Sequence, residues 1–353
     1  MTPPLPIPSA TRRAVLAGAA ASALLPAALL SSGPARAQAR RTPVRVGVIP
    51  IVGAAPLFVA EGEGWLKQAG LDLTVTTFES GPNMIQALAS GTIDVYVAGV
   101  APLGVARARG VDVKVVAATA TGENVLVVSP RLAEHFAAGV APAAAFAKYR
   151  AAAGKPAKLS TQPAGSVPNT TLQYWLWEVA KVAKEDVEIA PMGIDATQQA
   201  ILSDAVEGGT VREPALTIIQ KRNSRVKLVA AGDEMFPGQP GTVVAVSGAF
   251  AGKEGAAVQS LVSGLVKAVD LLGKDVPKVA PHVAASLGKG LVDAGLIADA
   301  LRSPASKFVA DPRVIVGPSK AMQAYQVKLG SLKEEVPLDA LFDASFFLKA
   351  VGG

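Results

Sequence analysis

The first third of the chain alternates between short apolar runs and longer segments whose apolar residues recur at helical spacing. Strands are predicted over residues 44–49 (VRVGVI), 71–78 (LDLTVTTF), 93–98 (IDVYVA) and 113–118. Helices are predicted over residues 56–68, between Ser80 and Gly91, and over 102–109, each followed by a glycine that can end it. Strand and helix at this spacing are typical of right-handed βαβ units, so the pattern predicts a parallel sheet.

A second run of the same kind follows an Ala-rich segment, 131–156, which predicts a helical pair or a linker. The strand predicted over residues 124–129 precedes this segment; strands over 157–160, 187–190, 226–230 and 242–246 and helices over 168–181 and 196–205 are predicted after it. Beyond residue 253 the pattern is almost entirely helical.

These patterns predict an α/β protein with two Rossmann-like lobes, two chain crossings and a helical C-terminal tail. We assign residues 43–128 plus 236–353 to lobe I and 129–235 to lobe II, with hinges near Ser129 and in the Gly- and Pro-rich segment 232–241. Ligands of open α/β sheets bind outside the carboxyl ends of the strands. Two such lobes facing each other therefore predict a hinged cleft.

The N-terminal segment, residues 1–39, does not continue this pattern. It contains Arg12-Arg13, an apolar run over 14–30, and two small-x-small sites between Ala35 and Ala39. These features predict a twin-arginine secretory signal and a periplasmic protein. A membrane anchor is the alternative, but the apolar run is shorter than the roughly 20 residues that spanning needs.

Composition is that of a globular protein rather than a disordered one, with 50% hydrophobic and 18% charged residues in 353. The predicted signal carries three arginines and no acidic residue, so its removal lowers the net charge from +6 to +3. With no basic cluster interleaved with aromatic residues, we expect no nucleic-acid partner. The chain has no cysteine, which excludes disulfides and thiol chemistry.

Signatures of catalysis are missing from the sequence. It contains no phosphate-binding P-loop, dinucleotide-binding glycine motif, nucleophile elbow or zinc-protease motif. His135 and His282 lie far apart in Ala-rich helical contexts, where packing or solvent exposure is their ordinary role. We therefore predict no catalytic residue, no metal site and no cofactor.

Three predicted loop-to-helix junctions combine a glycine with free backbone N–H groups at a helix start. They are residues 80–82 with Ser80 and Gly81, residues 99–102 with Gly99 and Val100, and residues 165–170 with Ser166, Asn169 and Thr170. Such helix starts can hold anions or polar groups, although each is also an ordinary cap. The aromatic residues Tyr174 and Trp175 favour core packing, with a place on the cleft as the alternative.

The order of three segments adds a family resemblance: APLFVAEGEGWLKQAGLDLTV, then SGPNMIQALASGTIDVYVAGVAP, then AGSVPNTTL. It resembles the nitrate/sulfonate/taurine-type solute receptors of ABC importers, which are related in fold to thiamine-precursor proteins. The resemblance implies the fold of a type II periplasmic binding protein from about residue 43 to the end. It places the ligand against the three junctions, with Pro50, Ile51 and Thr121 completing the walls.

In many members of this group a Glu-Pro step in the second lobe also faces the cleft. Here it reads Arg212-Glu213-Pro214, where relatives often carry an aromatic residue before the glutamate. A buried Glu213 is unfavourable beside a bare anion and suits an amine, a metal complex or a hydrogen-bonding heterocycle. The alternative is that Glu213 pairs with Arg212 or caps the next helix.

The resemblance implies a monomeric receptor that delivers a small-molecule ligand to an ABC permease and ATPase complex at the inner membrane. The ligand could be sulfonate- or nitrate-like, an amine or a metal complex. Two alternatives remain open, an enzyme of the thiamine-precursor-synthase type on the same fold and an exported ligand sensor.

Overall fold

The computed structural model describes residues 41–288 and 292–352. The predicted twin-arginine signal, residues 1–39, lies outside the described residues. The strands are β1 Thr42–Val48, β2 Leu71–Thr77, β3 Val95–Gly99, β4 Val113–Ala118, β5 Ala120–Thr121, β6 Val125–Val128, β7 Ala157–Thr161, β8 Val187–Pro191, β9 Gly208–Val211, β10 Lys227–Ala231, β11 Thr242–Ser247 and β12 Lys307–Phe308.

The helices of the first part of the chain are α1 Ala55–Gly62, α2 Trp65–Gln68, α3 Gly81–Ala89, α4 Ala101–Ala108, α5 Pro130–Ala133, α6 Pro142–Ala153, α7 Val167–Tyr174, α8 Ile194–Leu202 and α9 Ala215–Arg222. Those of the C-terminal part are α10 Gly248–Lys253, α11 Gly255–Lys274, α12 Val276–Gly288, α13 Ala294–Arg302, α14 Val316–Lys328, α15 Leu338–Leu341 and α16 Ser345–Ala350.

Two mixed sheets organise the part of the chain that the structure describes. One has the order β2-β1-β3-β11-β4 and the other the order β10-β6-β9-β7-β8. In each sheet one strand is antiparallel to its neighbours, β11 in the first and β6 in the second. Each of these is the first strand that the chain forms after crossing from the other sheet. The predicted two-lobed α/β architecture is confirmed, as is the helical C-terminal part.

The first crossing lies earlier than the sequence boundary after residue 128. Strand β6 pairs with β9 and β10, so it belongs to the second sheet. The chain therefore changes sheets between Ala118 and Val125, and it returns between Ala231 and Thr242. We call the first sheet with its packed helices lobe I (41–118 and 242–352) and the second sheet with its helices lobe II (125–231); the linking segments are the first and second crossings.

Strand β9 is a central strand of the second sheet that the sequence pattern did not predict. Its sequence is GGTV, and glycine disfavours strands. Close packing requires these glycines. A β-carbon at Gly208 would collide with the carbonyl oxygen of Val127, and one at Gly209 would lie 2.5 Å from the carbonyl oxygen of Ser160.

Two of the predicted helices differ in detail. The helix predicted over 56–68 is interrupted at Gly64, whose φ of 73° is left-handed, and it forms two helices, α1 and α2. The helix predicted over 168–181 begins at Val167, changes to a π-helical turn at Trp175–Val179, and ends by Lys181.

The core of lobe I is formed by the first sheet together with α1, α11 and α12. Helix α11 is long and apolar enough by composition to cross a membrane. Its apolar face instead packs into this core through residues that include Val258, Leu261, Val262 and Leu265. A separate apolar cluster around Phe146 and Leu159 forms a core for lobe II.

Candidate ligand cleft

The two lobes contact each other directly across the cleft. The backbone N–H of Val52 in lobe I donates to the carbonyl of Glu213 in lobe II at 2.8 Å. The amide of Gln326 on α14 donates to the carbonyl of Gly165 at 3.3 Å. The structure therefore shows the cleft in a closed arrangement.

A small cavity remains between the lobes at the carboxyl ends of β7 and β9. Its volume is about 10 Å³, enough for roughly one water molecule. Ile51 is its wall from lobe I, and the lobe II walls are Gln162, Pro168, Ile194, Thr197, Thr210, Val211, Arg212 and Ala215. This is the place where an open α/β sheet is expected to bind its ligand.

Arg212 is the charged group of this cavity. It follows β9 and is only 5% exposed. Its Nε donates to Oδ1 of Asn124 on the first crossing at 2.7 Å, whereas its Nη1 has no hydrogen-bond partner among the described residues. Burial lowers the pKa of Arg212, and the negative charge of Glu123 opposes that shift. An arginine keeps its proton under such conditions, so the cavity carries a positive charge.

Glu123 supplies a nearby negative charge without contacting the cavity. Its Oε2 accepts a hydrogen bond from the backbone N–H of Thr242 at 2.6 Å and one from the Thr242 hydroxyl at 2.8 Å. A β-carbon at Gly53 or Gly241 would collide with this carboxylate. The carboxylate is therefore held by Thr242, the first residue of β11, and Nη1 of Arg212 is left unpaired among the described residues.

The first two predicted junctions lie at the starts of α3 and α4. The hydroxyl oxygen of Ser80 accepts from the backbone N–H of Asn83 at 3.4 Å, which makes it a cap of α3. A β-carbon at Gly81 would collide with the Tyr96 hydroxyl. At the second junction, Val100 donates its N–H to the carbonyl of Gly241 at 3.2 Å.

Gly99 lies at the contact between the lobes. A β-carbon there would lie 2.8 Å from Cγ2 of Val167 and 3.4 Å from Nη2 of Arg212. Its carbonyl accepts from the hydroxyl of Tyr96 at 2.8 Å. Gly99 thus faces lobe II beside the guanidinium group.

The polar groups of the third junction are engaged mainly within α7. Ser166 Oγ accepts from the backbone N–H of Asn169 at 3.3 Å, and the hydroxyl of Thr170 donates to the carbonyl of Ser166 at 2.8 Å. Oδ1 of Asn169 accepts from the side-chain amide of Gln173 at 2.8 Å. These side chains lie at the N-terminal end of α7, and they do not line the 10 Å³ cavity.

The expected wall residues separate into two groups. Ile51 lines the cavity, whereas its neighbour Pro50 lines a different depression with Val48 and Phe58. Thr121 lies on the first crossing, where β5 pairs with β12 at Lys307. The structure therefore brings Ile51 to Arg212 and leaves Pro50 and Thr121 outside the cavity.

Glu213 does not face the cavity. Its Oε2 accepts from the backbone N–H of Thr217 at 3.0 Å, which caps the first turn of α9. Burial raises the pKa of Glu213, and hydrogen bonds with Ser303 and Thr217 oppose this shift. This is the capping alternative of the sequence analysis.

The two aromatic residues after the third junction lie in different environments. Tyr174 packs against Phe236 and Tyr325, with ring centroids 4.6 and 5.1 Å apart, and so joins α7 to α14. Trp175 is buried in the lobe II core. Neither residue lines the cavity.

Four polar residues of the cavity were not predicted from the sequence: Gln162, Thr197, Thr210 and Arg212. The available signal was the departure of Arg212 from the aromatic residue that relatives often carry before the glutamate. Thr197 is placed on the cavity by the start of α8, which no motif marks.

Comparison with known proteins agrees with this architecture. A family model described as the NMT1-like family matches residues 37–288. No curated protein sequence matches the chain at a significant level.

Among solved structures, the chain is similar to the nitrate-binding protein NrtA from Synechocystis PCC 6803, with a TM-score of 0.74 and 14% identity over 88% of each chain. It is similar to a zinc-bound ligand-binding component of an ABC-type import system from Staphylococcus aureus, with a TM-score of 0.71 and 17% identity over 88% of this chain and 99% of the other. The alkanesulfonate-binding protein SsuA from Xanthomonas axonopodis, bound to MOPS, gives a TM-score of 0.68 and 19% identity over 87% of this chain and 100% of the other.

At these identities the solved structures show a common fold. The family model, however, covers well over half of the sequence and includes both crossings, the strands of lobe II and the cavity residues. The resemblance noted in the sequence is confirmed, and the chain belongs to the NMT1-like family.

Proposed function

We propose that this protein is a periplasmic solute-binding receptor that delivers a small polar ligand to an ABC importer. The observation that carries the proposal is the closed cleft itself. A polar cavity lies at the carboxyl ends of β7 and β9, and lobe I closes it through Ile51 and the Val52–Glu213 hydrogen bond. Two crossings between the lobes allow opening and closing about a hinge.

The similar solved proteins support this role by their fold, although their ligands differ. Nitrate, alkanesulfonate and zinc-bound import components share the architecture. The ligand of this chain therefore has to be argued from its own residues. The partners we propose are a permease and ATPase at the inner membrane, with the receptor acting as a monomer.

Enzymatic and sensory functions are the alternatives on this fold. The cavity walls carry Gln, Thr and Arg side chains, and among its described lining residues none is a histidine, cysteine or carboxylate that could act as a general base near neutral pH. This composition favours binding and release over catalysis. An exported sensor would use the same cleft and differs in its membrane partner.

The test measures both ligand binding and the ligand-dependent change in the shape of the protein. Protein purified from the periplasm is screened by thermal shift against sulfonates, other anions, amines, pyrimidines and metal chelates, and small-angle scattering measures its radius of gyration with and without each hit. We expect one class to raise the melting temperature and to shrink the protein. Turnover of a pyrimidine precursor, or an absence of any binding across the panel and of any retained solute, would contradict the receptor role.

Export by the twin-arginine route is part of the same proposal. Arg12 and Arg13 are the paired arginines of the predicted signal. Changing both to lysine should keep the protein in the cytoplasm, while Arg36→Lys, near the predicted cleavage sites, should leave export intact. Normal export of the double variant would rule out the twin-arginine route, and it would leave the proposed binding function unaffected.

A further inference from the structure

We infer that helix α14 of lobe I and the π-helical turn Trp175–Val179 of lobe II form a clasp that holds the lobes together. In this clasp the carboxylate of Glu178 exchanges Lys181 of its own lobe for Lys328 of lobe I as the cleft closes. The inference rests on the proposed receptor function only in assuming that the lobes open and close. The clasp residues, none of which lines the cavity, are Tyr325, Gln326 and Lys328 on α14 and Gly165, Tyr174, Glu178 and Lys181 in lobe II.

The π-helical turn after α7 places an acidic side chain at the contact between the lobes. Turns of this type are rare and recur at functional sites. Glu178 is the one acidic residue of this turn, whose sequence is WLWEV. Its Oε1 accepts a hydrogen bond from Nζ of Lys328 at 2.5 Å, and Lys328 is the last residue of α14. An ion pair therefore links the irregular turn of lobe II to a helix of lobe I.

Glu178 also has a lysine within reach on its own lobe. Nζ of Lys181 lies 4.0 Å from Oε2 of Glu178, three residues further along the chain. The side chains of Lys181 and Lys328 are 70% and 63% exposed, so water solvates whichever of them is unpaired. When the lobes separate, the carboxylate keeps a cation close by. Exchange of one lysine for the other therefore keeps the free-energy cost of opening small.

Aromatic packing joins the same two elements and continues to the second crossing. The rings of Tyr325 and Tyr174 form a T-shaped pair with centroids 5.1 Å apart, and Tyr174 packs against Phe236 of the second crossing at 4.6 Å. Edge-to-face contact is a favourable geometry for aromatic rings. Nζ of Lys328 lies 5.8 Å from the centroid of Tyr325, within the range of a cation–π contact. The ion pair is therefore continuous with an aromatic contact that reaches the hinge region.

The remaining contact of the clasp is polar and incompletely paired. Gln326 is fully buried, and its Nε2 donates to the carbonyl of Gly165 at 3.3 Å. Its Oε1 has no hydrogen-bond partner among the described residues. Water can satisfy both groups of this amide once the lobes separate, which lowers the cost of breaking the contact. Interfaces between domains that move are more polar than permanent ones. The composition of the clasp thus favours a contact that forms and breaks.

The lack of cysteine in the sequence allows the contact to be measured directly. Lys320→Cys on α14 and Lys184→Cys in lobe II introduce two attachment points for spin labels, at exposed positions outside the clasp. Pulsed electron spin resonance then gives the distribution of distances between the labels in the periplasmic protein. We expect a dominant short distance, and its share of the molecules gives the ratio of closed to open protein.

Three substitutions test the exchange of lysines. Lys328→Met should lower the closed-to-open ratio by about 2- to 5-fold, the range for an exposed ion pair. Tyr325→Leu should lower it by about 3- to 10-fold, because an aromatic pair between the lobes is lost. Lys181→Met removes the lysine that competes with Lys328 in the open state. In the Tyr325→Leu background, where both distances are populated, it should raise the ratio by about twofold.

Matched controls change the same residue types away from the clasp. Lys267→Met replaces an exposed lysine of α11. Phe136→Leu removes a ring that pairs with Phe146 inside lobe II, in a T-shaped contact of 5.5 Å. Neither control should change the closed-to-open ratio, although Phe136→Leu should lower the stability of the fold.

The outcomes separate the clasp from the receptor function. Unchanged distances in both Lys328→Met and Tyr325→Leu, or a change of the same sign for Lys181→Met and Lys328→Met, would overturn the clasp and leave a receptor. A solute panel without any binding would contradict the receptor function, while the label distances would still decide the clasp. If Tyr325→Leu fails to fold, Gln326→Leu, which removes the hydrogen bond to Gly165 at similar volume, takes its place.

Discussion

The side-chain carbonyl of Gln239 on the second crossing accepts two hydrogen bonds from Asn124 on the first crossing, from the backbone N–H at 2.7 Å and from the side-chain amide at 3.0 Å. The amide of Gln239 in turn donates to the carbonyls of Asn124 and Gly232 at 3.3 and 3.0 Å. Asn124 is also the residue that holds Nε of Arg212. The two crossings and the charged group of the cavity therefore form one hydrogen-bonded unit.

The first prediction tests this unit. Gln239 is fully buried, so Gln239→Leu leaves the backbone N–H and the side-chain amide of Asn124 without their acceptor, whereas the carbonyls of Asn124 and Gly232 keep backbone donors. We expect the free energy of unfolding to fall by about 2–4 kcal/mol, since each unsatisfied buried group costs about 1–3 kcal/mol. Urea denaturation measures the change.

The matched control for Gln239 is an exposed glutamine. Gln220→Leu on α9 should change stability by less than about 0.5 kcal/mol, as is usual for surface positions. Equal stability of Gln239→Leu and wild type would show that the crossings are held by other contacts. Because Asn124 positions Arg212, Gln239→Leu should in addition weaken ligand binding in the cleft.

Much of the fold could be predicted because its signals are local. Strands such as β1 and β3 are rich in Val, and helices α3 and α7 begin at Ser80 and Ser166 with a proline in the first turn. The unpredicted strand β9 has no local signal. Its glycines are required by contacts with Val127 and Ser160, which are distant in sequence and become neighbours only in the folded sheet.

The site was predicted less completely than the fold, and for a physical reason. Helix starts can be recognised in sequence, but whether their hydroxyls remain free cannot, and Ser80, Ser166 and Thr170 all form bonds at their own helix. Conversely, Arg212 is charged and would ordinarily be exposed. Its burial depends on packing between Asn124 and Gly99, which no local pattern records.

The second prediction concerns closure of the cleft. Gly99→Ala would place a methyl group 2.8 Å from Cγ2 of Val167 across the lobe contact. Overpacking of this kind costs about 1–3 kcal/mol, and the protein can avoid it by opening. We expect a larger radius of gyration in small-angle scattering with ligand present, and affinity lower by about tenfold, which corresponds to 1.4 kcal/mol.

A second substitution distinguishes steric obstruction from other effects of Gly99→Ala. Val167→Ala removes the colliding methyl groups, so the Gly99→Ala/Val167→Ala double variant should recover part of the closure. Gly104→Ala is the matched single control, because the atoms nearest to a β-carbon there belong to Gln323 and lie 3.5 Å or more away, an ordinary van der Waals contact. If the double variant stays as open as Gly99→Ala, the contact with Val167 is not the obstacle.

The third prediction concerns pH. Burial raises the pKa of Glu213 above its ordinary value of 4.5, so the folded protein binds this proton more tightly than the unfolded chain does. Stability therefore falls as pH rises from about 4.5 through the raised folded-state pKa, and then levels off. Glu213→Gln removes this loss, and its stability relative to wild type should increase over the same pH range. Urea denaturation at pH 4 to 8 measures it.

Glu178 provides a control of opposite sign. Its hydrogen bond with Lys328 lowers the pKa of the Glu178 carboxyl. A carboxyl with a lowered pKa stabilises the fold above its ordinary pKa and loses that contribution as pH falls. The stability of Glu178→Gln relative to wild type should therefore increase as pH falls, whereas that of Glu213→Gln should increase as pH rises. If the stability of wild type and of Glu213→Gln depended on pH in the same way, Glu213 would have the same pKa in the folded and the unfolded state.

The last prediction returns to β9, the strand that carries Thr210 and leads to Arg212. Gly209→Ala would bring a β-carbon within 2.5 Å of the backbone carbonyl oxygen of Ser160 on β7. Backbone in a paired strand cannot move aside as a side-chain end can, so we expect a loss of about 3 kcal/mol in the free energy of unfolding, the upper part of the overpacking range.

Gly273→Ala is the matched glycine substitution for comparison with Gly209→Ala. Gly273 lies in α11, where nothing lies within 4 Å of the added β-carbon. Alanine is favoured over glycine inside a helix by about 1 kcal/mol, so this variant should be equally stable or more stable. The free energies of unfolding of Gly209→Ala and Gly273→Ala, measured by thermal and urea denaturation, should therefore differ by several kcal/mol. If Gly209→Ala unfolds like the wild type, β7 and β9 are not packed as closely as the structure shows, and the position of Arg212 at the end of β9 would have to be reconsidered.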